Sequence, residues 1–302
     1  MLNRLWLVAA FCALSLPLLA CDACGCSISQ SYTGVMPQLG GHYLGIWWQH
    51  QAYRIQTEDA FTGSRQEHQE YFNTIELRGR LQLLPRLQLS AIMPYAQRYR
   101  PGEGSGTFLN GLADPVVLLH GVIIDNGDST AARVQHRLVA GAGVKAPLGQ
   151  FQQPGPEEVV NPNLQIGTGS WDFLLNASYT LRWGSWGVNT DFTYRYNGES
   201  ANGYQFGDRI SGVASLFRLE QLGQWQLMPN AGLFYERAWL DVENGFFRTN
   251  TGGNAMMAAL GVESFRSGYN IGLSLNLPVR QNWNGGLLRA RPRVALHFNY
   301  FL

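Results

Sequence analysis

Lysine is nearly absent from this chain of 302 residues, since Lys145 is the only one and arginine supplies the rest of the side-chain positive charge apart from histidine. Charged residues make up 14% of the sequence, which is low for a soluble protein. The 22 basic and 21 acidic residues nearly cancel, whereas a nucleic-acid-binding protein normally carries a basic excess. The composition therefore excludes nucleic acid as a partner. Genomic base composition is the simplest explanation of the arginine bias, although arginine also suits anionic lipid headgroups and bidentate carboxylate pairs.

Long apolar runs are also missing beyond the first twenty residues. No later run reaches ~18 uncharged apolar residues, so no transmembrane helix is predicted there. Yet aromatic residues reach 12% and glycine numbers 35, while the mean hydropathy is only −0.13. Low charge, many aromatics and near-neutral hydropathy together favour a membrane β-barrel, in which lipid-facing and interior residues alternate.

The N-terminal segment, residues 1–20, is typical of a cleaved secretion signal. Arg4 supplies the positive start, an apolar stretch runs from Leu5 to Leu19, and Ala20 is the small residue expected at a cleavage point. The stretch is too short to span a membrane as a helix. The last residues before Cys21 also resemble a bacterial lipobox, in which case Cys21 would be acylated. Ordinary cleavage after Ala20 and lipidation of Cys21 both remain open.

From His42 onward the chain falls into segments of about ten residues with alternating polarity, the pattern of membrane β-strands. The clearest segment begins at Trp186. Successive side chains of a strand point to opposite faces, which gives this segment an apolar face with aromatic ends and a polar, charged face. Aromatic rings at strand ends suit the two headgroup levels of a membrane. The predicted strands are 42–54, 71–83, 87–99, 112–124, 134–147, 170–183, 186–197, 204–217, 225–237, 254–265, 269–280 and 294–302.

The connections between these strands alternate between short and long. Short turns on one side and long loops on the other are typical of outer-membrane barrels. With both termini on the short-turn side, the sequence predicts an all-β, antiparallel up-and-down transmembrane barrel of about twelve strands. The predicted organisation is a signal peptide at 1–20, a cysteine-containing leader or plug at 21–41, and a barrel at 42–302. Its expected location is the bacterial outer membrane, with the N- and C-termini on the periplasmic side.

The C-terminal segment supports this prediction. Val294, Leu296, Phe298, Tyr300 and Leu302 alternate with more polar positions, which resembles the signal recognised by the bacterial barrel-assembly machinery. Lipid tolerates no open sheet edge, so the barrel must close. The expected partners are therefore this machinery, outer-membrane lipid including lipopolysaccharide, and a small-molecule solute.

Two glycine-rich stretches carry a family resemblance. Residues 141–149, GAGVKAPLG, precede residues 167–173, GTGSWDF, across one loop. This pair resembles the transporter-like outer-membrane barrels named for the meta-pathway of phenol degradation, which commonly show G-x-K-x-P-T-G and then G-T-G-S-x-D-F. Leu148 stands where that family has threonine. The resemblance covers about one hairpin and implies passage of small, hydrophobic molecules across the outer membrane.

Three cysteines stand close together in the leader. Cys21, Cys24 and Cys26 have C-x-x-C-x-C spacing, which allows their thiolates to reach one soft ion such as Cu(I) or Zn(II). The alternatives are a periplasmic disulfide, with the third thiol lipidated or free. The uncharged segment 27–41 then either folds into the barrel as a plug, the interpretation that its apolar residues favour, or hangs in the periplasm.

The polar faces of the strands supply candidate pore-lining residues. Their charges have both signs, so no strong ion selectivity is expected, and lumenal salt bridges that fill a closed barrel are the alternative. These residues are Glu76, Arg78, Arg80, Asp172, Asn189, Asp191, Arg195, Arg209, Glu236, Glu263, Arg280 and His297.

Catalysis is not predicted. No G-x-S-x-G or H-E-x-x-H motif occurs, and none of the six histidines has a recognisable nucleophile beside it. The sequence therefore predicts a porin-like channel or transporter for a small solute. A metal-handling barrel that uses the cysteine cluster is the alternative, and a barrel-borne lipid or peptide hydrolase is a third hypothesis.

Overall fold

The computed structural model describes residues 41–58, 65–102, 106–126, 134–151 and 162–302. The predicted signal peptide, the three cysteines of the leader and almost all of the predicted plug lie outside these residues.

The described residues are almost entirely β-structure. In chain order the strands are β1 (Tyr43–Glu58), β2 (Arg65–Leu84), β3 (Leu87–Arg100), β4 (Thr107–Leu112), β5 (Val116–Asp125), β6 (Val134–Lys145), β7 (Asp172–Trp183), β8 (Trp186–Asn197), β9 (Tyr204–Gln205), β10 (Arg209–Arg218), β11 (Glu220–Leu222), β12 (Trp225–Ala238), β13 (Asp241–Glu243), β14 (Phe246–Arg248), β15 (Gly253–Arg266), β16 (Tyr269–Trp283), β17 (Leu288–Ala290) and β18 (Arg293–Phe301). Short 3₁₀ turns occur at Pro162–Leu164 and Asn284–Gly286. No helix among the described residues is long and apolar enough to cross a membrane.

These strands form a closed antiparallel barrel with twelve positions in its wall. Three pairs of strands, β4 with β5, β10 with β11 and β17 with β18, each occupy one position, because both members pair with the same neighbour. The first strand closes the barrel by pairing with the last, from Tyr43 opposite Phe301 to His50 opposite Val294. Closure leaves no exposed sheet edge, as a lipid environment requires. The predicted fold class is confirmed.

The two ends of the barrel differ. At the end that we call the short-turn end, tight turns such as Gly184 and Gly223 join neighbouring strands, and both glycines have a positive φ. The long-loop end carries the connection from β6 to β7 and a small sheet of β9, β13 and β14. The chain begins and ends its barrel at the short-turn end, since Tyr43 lies opposite Phe301 there.

The outer face is apolar, with aromatic residues at both ends. Ile75, Leu77 and Leu175 are each 45% or more exposed in the middle of the wall. Contact with the acyl chains of a membrane removes this apolar surface from water, which stabilises the barrel. The exposed aromatic residues near the long-loop end are Tyr99, Phe108, Trp171, Tyr196 and Tyr235, and those near the short-turn end are Trp183, Trp186, Trp225, Tyr269 and Tyr300.

Most strand bounds lie within a few residues of their predictions, and the larger differences have local causes. The strand predicted at 112–124 is observed as β5, which begins at Val116, while Leu112 ends β4, a strand that otherwise lies in a predicted loop. Between them the chain turns at Ala113 and Asp114, and the Asp114 carboxylate contacts Lys145. The segment predicted at 204–217 is also split, because β9 joins the small loop sheet with β13 while β10 enters the wall.

The wall is irregular between β16 and β17. Regular pairing of β16 with the last wall position stops at Asn276 opposite Arg293 and resumes only at Trp283 opposite Leu288. In between, the Gln281 side chain takes the place of a backbone partner. Its Nε2 donates to the Ala290 carbonyl at 3.0 Å, and the Ala290 N–H donates to Gln281 Oε1 at 2.7 Å. We call this join the Gln281 clasp.

Two prolines and a bulge explain the interruption. Pro278 and Pro292 have no N–H to give to a ladder, and they lie on the two sides of the gap. On its other side, β16 has an extra residue against β15, since Met256 lies opposite Arg280 whereas Met257 lies opposite Pro278. Such a bulge shifts the inward and outward alternation by one residue.

Candidate functional site

The inward face of the barrel is divided into two halves of different chemistry. Toward the short-turn end the inward side chains are mostly polar and charged. Toward the long-loop end they include one large apolar cluster. Both sets are buried inside the barrel, so a solute that crosses the barrel along its axis meets both.

The polar half is organised around a stack of three side chains. The rings of Trp47 and His297 are parallel within 13°, with their centroids 3.9 Å apart. The Arg78 guanidinium lies 4.0 Å from the centroid of the Trp47 ring, a distance at which a cation is attracted to an aromatic face. Arg78 Nε also donates to Glu76 Oε2 at 2.7 Å. Adjacent strands thus join a cation, two rings and a carboxylate into one rigid unit.

A hydrogen-bonded chain extends this stack around the wall. His297 Nε2 lies 2.9 Å from Glu263 Oε2 and 3.0 Å from Asn270 Oδ1. Both of those oxygens accept hydrogen bonds, so Nε2 carries the proton. Asn299 Nδ2 donates to Asn270 Oδ1, and Trp47 Nε1 donates to Asn299 Oδ1. Each of these five side chains is buried and satisfied by a neighbour, as buried polar groups require.

Gly272 makes room for this pairing. A Cβ at position 272 would lie 2.2 Å from His297 Cε1 and 2.3 Å from Glu263 Oε2. A side chain there would push the histidine and the carboxylate apart, so the close approach requires glycine.

The long-loop half contains the apolar cluster together with two ion pairs whose carboxylates are buried. Arg293 Nη2 lies 3.3 Å from Glu236 Oε1, and Arg100 Nε donates to Glu70 Oε1 at 2.7 Å. The apolar cluster consists of Tyr53, Ile55, Phe72, Ala96, Leu109, Ala113, Leu164, Ile166, Val213, Phe234, Ala238, Ala255, Met257, Ala259, Trp283, Leu288 and Ala290. Leu164 and Ile166 come from the long connection between β6 and β7, which therefore packs into this half.

A small cavity of about 20 Å³, with room for about one water molecule, lies in the long-loop half. Its wall includes Glu236, Ala238 and Trp283, with Arg195 and Arg209 on neighbouring strands. Among the described residues, Trp283 Nε1 and Glu236 Oε2 have no hydrogen-bond partner although both atoms are buried. A buried donor and a buried acceptor without partners are costly in an empty site. Trp283 and Ala238 thus join the polar lining of this cavity to the apolar cluster, and the cavity wall includes one donor and one acceptor without partners.

A separate polar cluster holds the loop between β6 and β7. Lys145 Nζ lies 3.0 Å from Asp114 Oδ2 and 2.7 Å from Asp172 Oδ2, and it also contacts Thr168 Oγ1. Asp114 in turn accepts the backbone N–H groups of Gly149 and Thr168, at 2.8 and 2.9 Å. We call these residues the Lys145 cluster.

The Lys145 cluster gives a physical account of the two glycine-rich stretches. Lys145 ends the first stretch's strand and lies directly opposite Asp172 of the second. A Cβ at Gly167 would lie 2.8 Å from the Gly149 backbone, so the two stretches touch where both have glycine. The motif therefore fixes how the long loop leaves and re-enters the wall.

The structure places most of the predicted pore-lining residues inside the barrel. Arg209 is half-buried on the inward face of β10. Arg280 differs, because the β16 bulge turns it to the outer face, where it is exposed. The buried, inward residues are Glu76, Arg78, Arg80, Asp172, Asn189, Asp191, Arg195, Glu236, Glu263 and His297.

Sequence reasoning missed several residues that organise this interior. Trp47 follows alternation, but its neighbour Trp48 is also tryptophan, and residue type alone does not tell which of them faces inward. Asp114 lies at a turn within a predicted strand. Two features of the sequence could have indicated the importance of Lys145, since it is the only lysine and it lies in the first glycine-rich stretch. Glu70 lies outside its predicted strand, 71–83.

The predicted metal site cannot be placed in the fold, because Cys21, Cys24 and Cys26 lie outside the described residues. Within the part of the chain that the structure describes, no three histidine, cysteine, aspartate or glutamate side chains come together as a metal site.

Comparison with known proteins supports the fold. No family model matches the chain, and no curated protein matches it. An outer membrane channel from Pseudomonas putida F1 has 14% sequence identity and a TM-score of 0.67, over 87% of this chain and 96% of that one. The beta domain of a Bordetella autotransporter has 11% identity and a TM-score of 0.51, over 87% and 100%. The resemblance to the phenol-pathway barrels thus has no family match behind it, and the chain has the fold of a bacterial outer-membrane β-barrel.

Proposed function

We propose that this protein is a bacterial outer-membrane channel for a small, partly apolar solute. The observation that carries the proposal is the divided interior. A small cavity whose wall includes one donor and one acceptor without partners in the described part of the chain lies beside the apolar cluster of the long-loop half, and a mostly polar and charged region follows toward the short-turn end.

The chemistry of the cavity favours a particular kind of solute. The apolar cluster, which shares Ala238 and Trp283 with the cavity wall, can hold an apolar body by removing it from water. Trp283 Nε1 can donate a hydrogen bond to the solute, and Glu236 Oε2 can accept one from it. A molecule with an apolar ring and a polar end fits both requirements better than a sugar, which would leave many hydroxyl groups unpaired.

The structure from Pseudomonas putida F1 that resembles this chain is an outer membrane channel, which supports the proposal. The solute, however, is inferred from the cavity of this chain alone. We also propose that the long loops face the cell exterior and that the N- and C-termini lie on the periplasmic side. Outer-membrane lipid and the barrel-assembly machinery are its proposed partners, the latter because the C-terminal strand resembles the signal that this machinery recognises.

The orientation can be tested by cysteine labelling. Phe246, in the long-loop sheet, is 77% exposed, and Leu222, at a short turn, is 59% exposed. An impermeant thiol reagent should label Phe246→Cys on intact cells and Leu222→Cys only after lysis. The unsubstituted chain, with its own cysteines, gives the background. Labelling of Leu222→Cys but not Phe246→Cys on intact cells would reverse the orientation.

The passage of solute can be tested by filling the cavity. Ala238 lines it and is 4% exposed. In liposome swelling, the unsubstituted protein should admit phenylalanine faster than glucose, a solute of similar size without an apolar ring. Ala238→Phe should slow phenylalanine several-fold, because the added ring narrows the interior at the point where the solute would pass.

Ala231→Phe is the matched control, since Ala231 lies on the outward face of the same strand and is exposed. It should swell at the unsubstituted rate. Equal loss in both variants, or no swelling with the unsubstituted protein, would contradict the proposed function.

A further inference from the structure

Five arginines form a patch on the outer face at the long-loop end. Arg237 ends β12, Arg280 lies on β16, Arg289 and Arg291 lie on and just after β17, and Arg54 lies on β1. Alternation directs Arg54, Arg237, Arg289 and Arg291 outward, and the β16 bulge turns Arg280 outward. Arg237, Arg280 and Arg289 are exposed. We call these residues the arginine patch. It covers adjoining positions of the wall, from β12 through β15, β16 and β17 to β1.

The patch places like charges directly against one another. Arg54 lies opposite Arg289 in the pairing of β1 with β17. Arg280 and Arg291 lie next to the Gln281 clasp, one on each side of the join, since Gln281 is bonded to Ala290. Like charges directly across two strands destabilise the sheet. The arrangement therefore favours a bound anion between the strands.

The patch is only partly neutralised by the protein. Arg54 Nε lies 2.9 Å from Glu67 Oε1. Among the described side chains, no carboxylate pairs with Arg280, Arg289 or Arg291. By contrast, Arg218 at the short-turn end is paired with Glu220 at 2.5 Å. Three arginines without a carboxylate partner thus lie close together at the long-loop end.

The rest of the rim at this end has a different composition. From β4 to β8, the exposed outward residues near the long loops are aromatic or apolar, such as Phe108, Leu112, Trp171 and Tyr196. Within the side chains that the structure describes, the outward arginines of this end all belong to the patch. One side of the barrel is therefore basic, and the opposite side is not.

The position of the patch selects the anion. Tyr235, an exposed ring of the headgroup-level aromatic belt, lies on β12 two residues from Arg237 and directly opposite Met256, which also lies opposite Arg280. Below this level the outer face is apolar. An occupant that matches both surfaces has phosphate groups attached to acyl chains. Arginine forms bidentate hydrogen bonds with phosphate oxygens.

We propose that the arginine patch binds the phosphate groups of a phosphorylated glycolipid, the lipid A part of lipopolysaccharide, on one side of the barrel. The proposal rests on the orientation given under the proposed function, which places this end in the outer leaflet. It does not depend on which solute the channel passes.

Binding can be measured with the purified full-length protein in neutral detergent micelles. The probe is lipid A with its phosphates, compared with the same lipid A after enzymatic removal of the phosphates. Phosphorylated lipid A should bind more tightly. The triple variant R280Q/R289Q/R291Q should lose about tenfold or more of that preference, since each bond that it removes is a charge-assisted one. Its heat-modifiable migration on gels should persist, which shows that the barrel is folded.

The control removes two outward arginines from the other end, R218Q/R266Q, and should leave the preference unchanged. Equal weakening by this control would show non-specific charge attraction and overturn the proposal. Inorganic phosphate that competes as well as the lipid would assign the patch to free phosphate instead, which also overturns it. If the triple variant does not fold, the single variant R280Q, in which the outward bulge residue alone is changed, should still weaken binding measurably, and an unchanged affinity would refute the site. These outcomes are independent of liposome swelling, so the channel proposal and the lipid site fail separately.

Discussion

Leu273→Arg should prevent most of the chain from assembling in a bilayer, whereas Ser274→Arg should assemble. Leu273 lies in the middle of β16, is 48% exposed on the outer face and has Val262 and Leu296 as its neighbours across the strands. An arginine near the bilayer midplane on this face costs about 2–4 kcal/mol. The free energy of a barrel is small enough for such a loss to reduce the folded fraction strongly.

Ser274 is the matched control for this variant because it is the next residue and faces the interior. Its neighbours across the strands are Gly261 and Ala295, which are small. An arginine at position 274 would point into the barrel interior instead of into lipid. The substitution should therefore change the conductance of the channel. The folded fraction after refolding into vesicles, read from heat-modifiable migration, measures the first effect, and single-channel current measures the second. Equal folding of the two variants would refute the assigned register.

Lys145→Met should destabilise the folded barrel by about 3–5 kcal/mol, the usual cost of removing one partner from a buried ion pair. The variant leaves Asp114, just before β5, and Asp172, at the start of β7, buried on the two sides of β6 without their shared cation. Like charges so close repel one another, and both have lost water. The temperature at which the folded band converts to the unfolded band should fall.

Arg54→Met provides the comparison, because it removes an ion pair whose two side chains are 40% and 43% exposed. An exposed pair contributes only about 0–1 kcal/mol, so the conversion temperature should barely change. Adding Asp114→Asn to Lys145→Met should recover part of the loss, because it removes one of the two carboxylates. A Lys145→Met protein as stable as the unsubstituted chain would show that the loop is held by other contacts.

The barrel itself could be predicted from sequence because alternation is a local property. The alternation within a strand such as Trp186–Asn197 indicates which residues face lipid. A sheet in lipid must then close into a barrel, because lipid leaves no partner for an open edge. The interior contacts are not local. Trp47 and His297 are far apart in the chain and meet only because the first strand pairs with the last.

Irregular features of the wall were beyond the same reasoning. The bulge in β16 inserts one residue, after which polarity no longer indicates direction, and Arg280 was therefore assigned to the wrong face. Asp114 interrupts a strand because its carboxylate is needed at Lys145, a requirement that appears only when β5, β6 and β7 are side by side. The alternation of polarity indicates whether a side chain faces lipid or the barrel interior. The positions of Arg280 and Asp114 depend instead on contacts with residues of neighbouring strands.

The Gln281 clasp makes the wall unevenly stiff around its circumference. Elsewhere two neighbouring strands are held by a run of backbone hydrogen bonds, which separate only together. At the clasp, one side chain spans the join with two hydrogen bonds, so a single change of rotamer releases both. Local fluctuations of the wall should therefore concentrate there, next to the most basic part of the outer surface, and an anion held by Arg280 and Arg291 across the join would damp them.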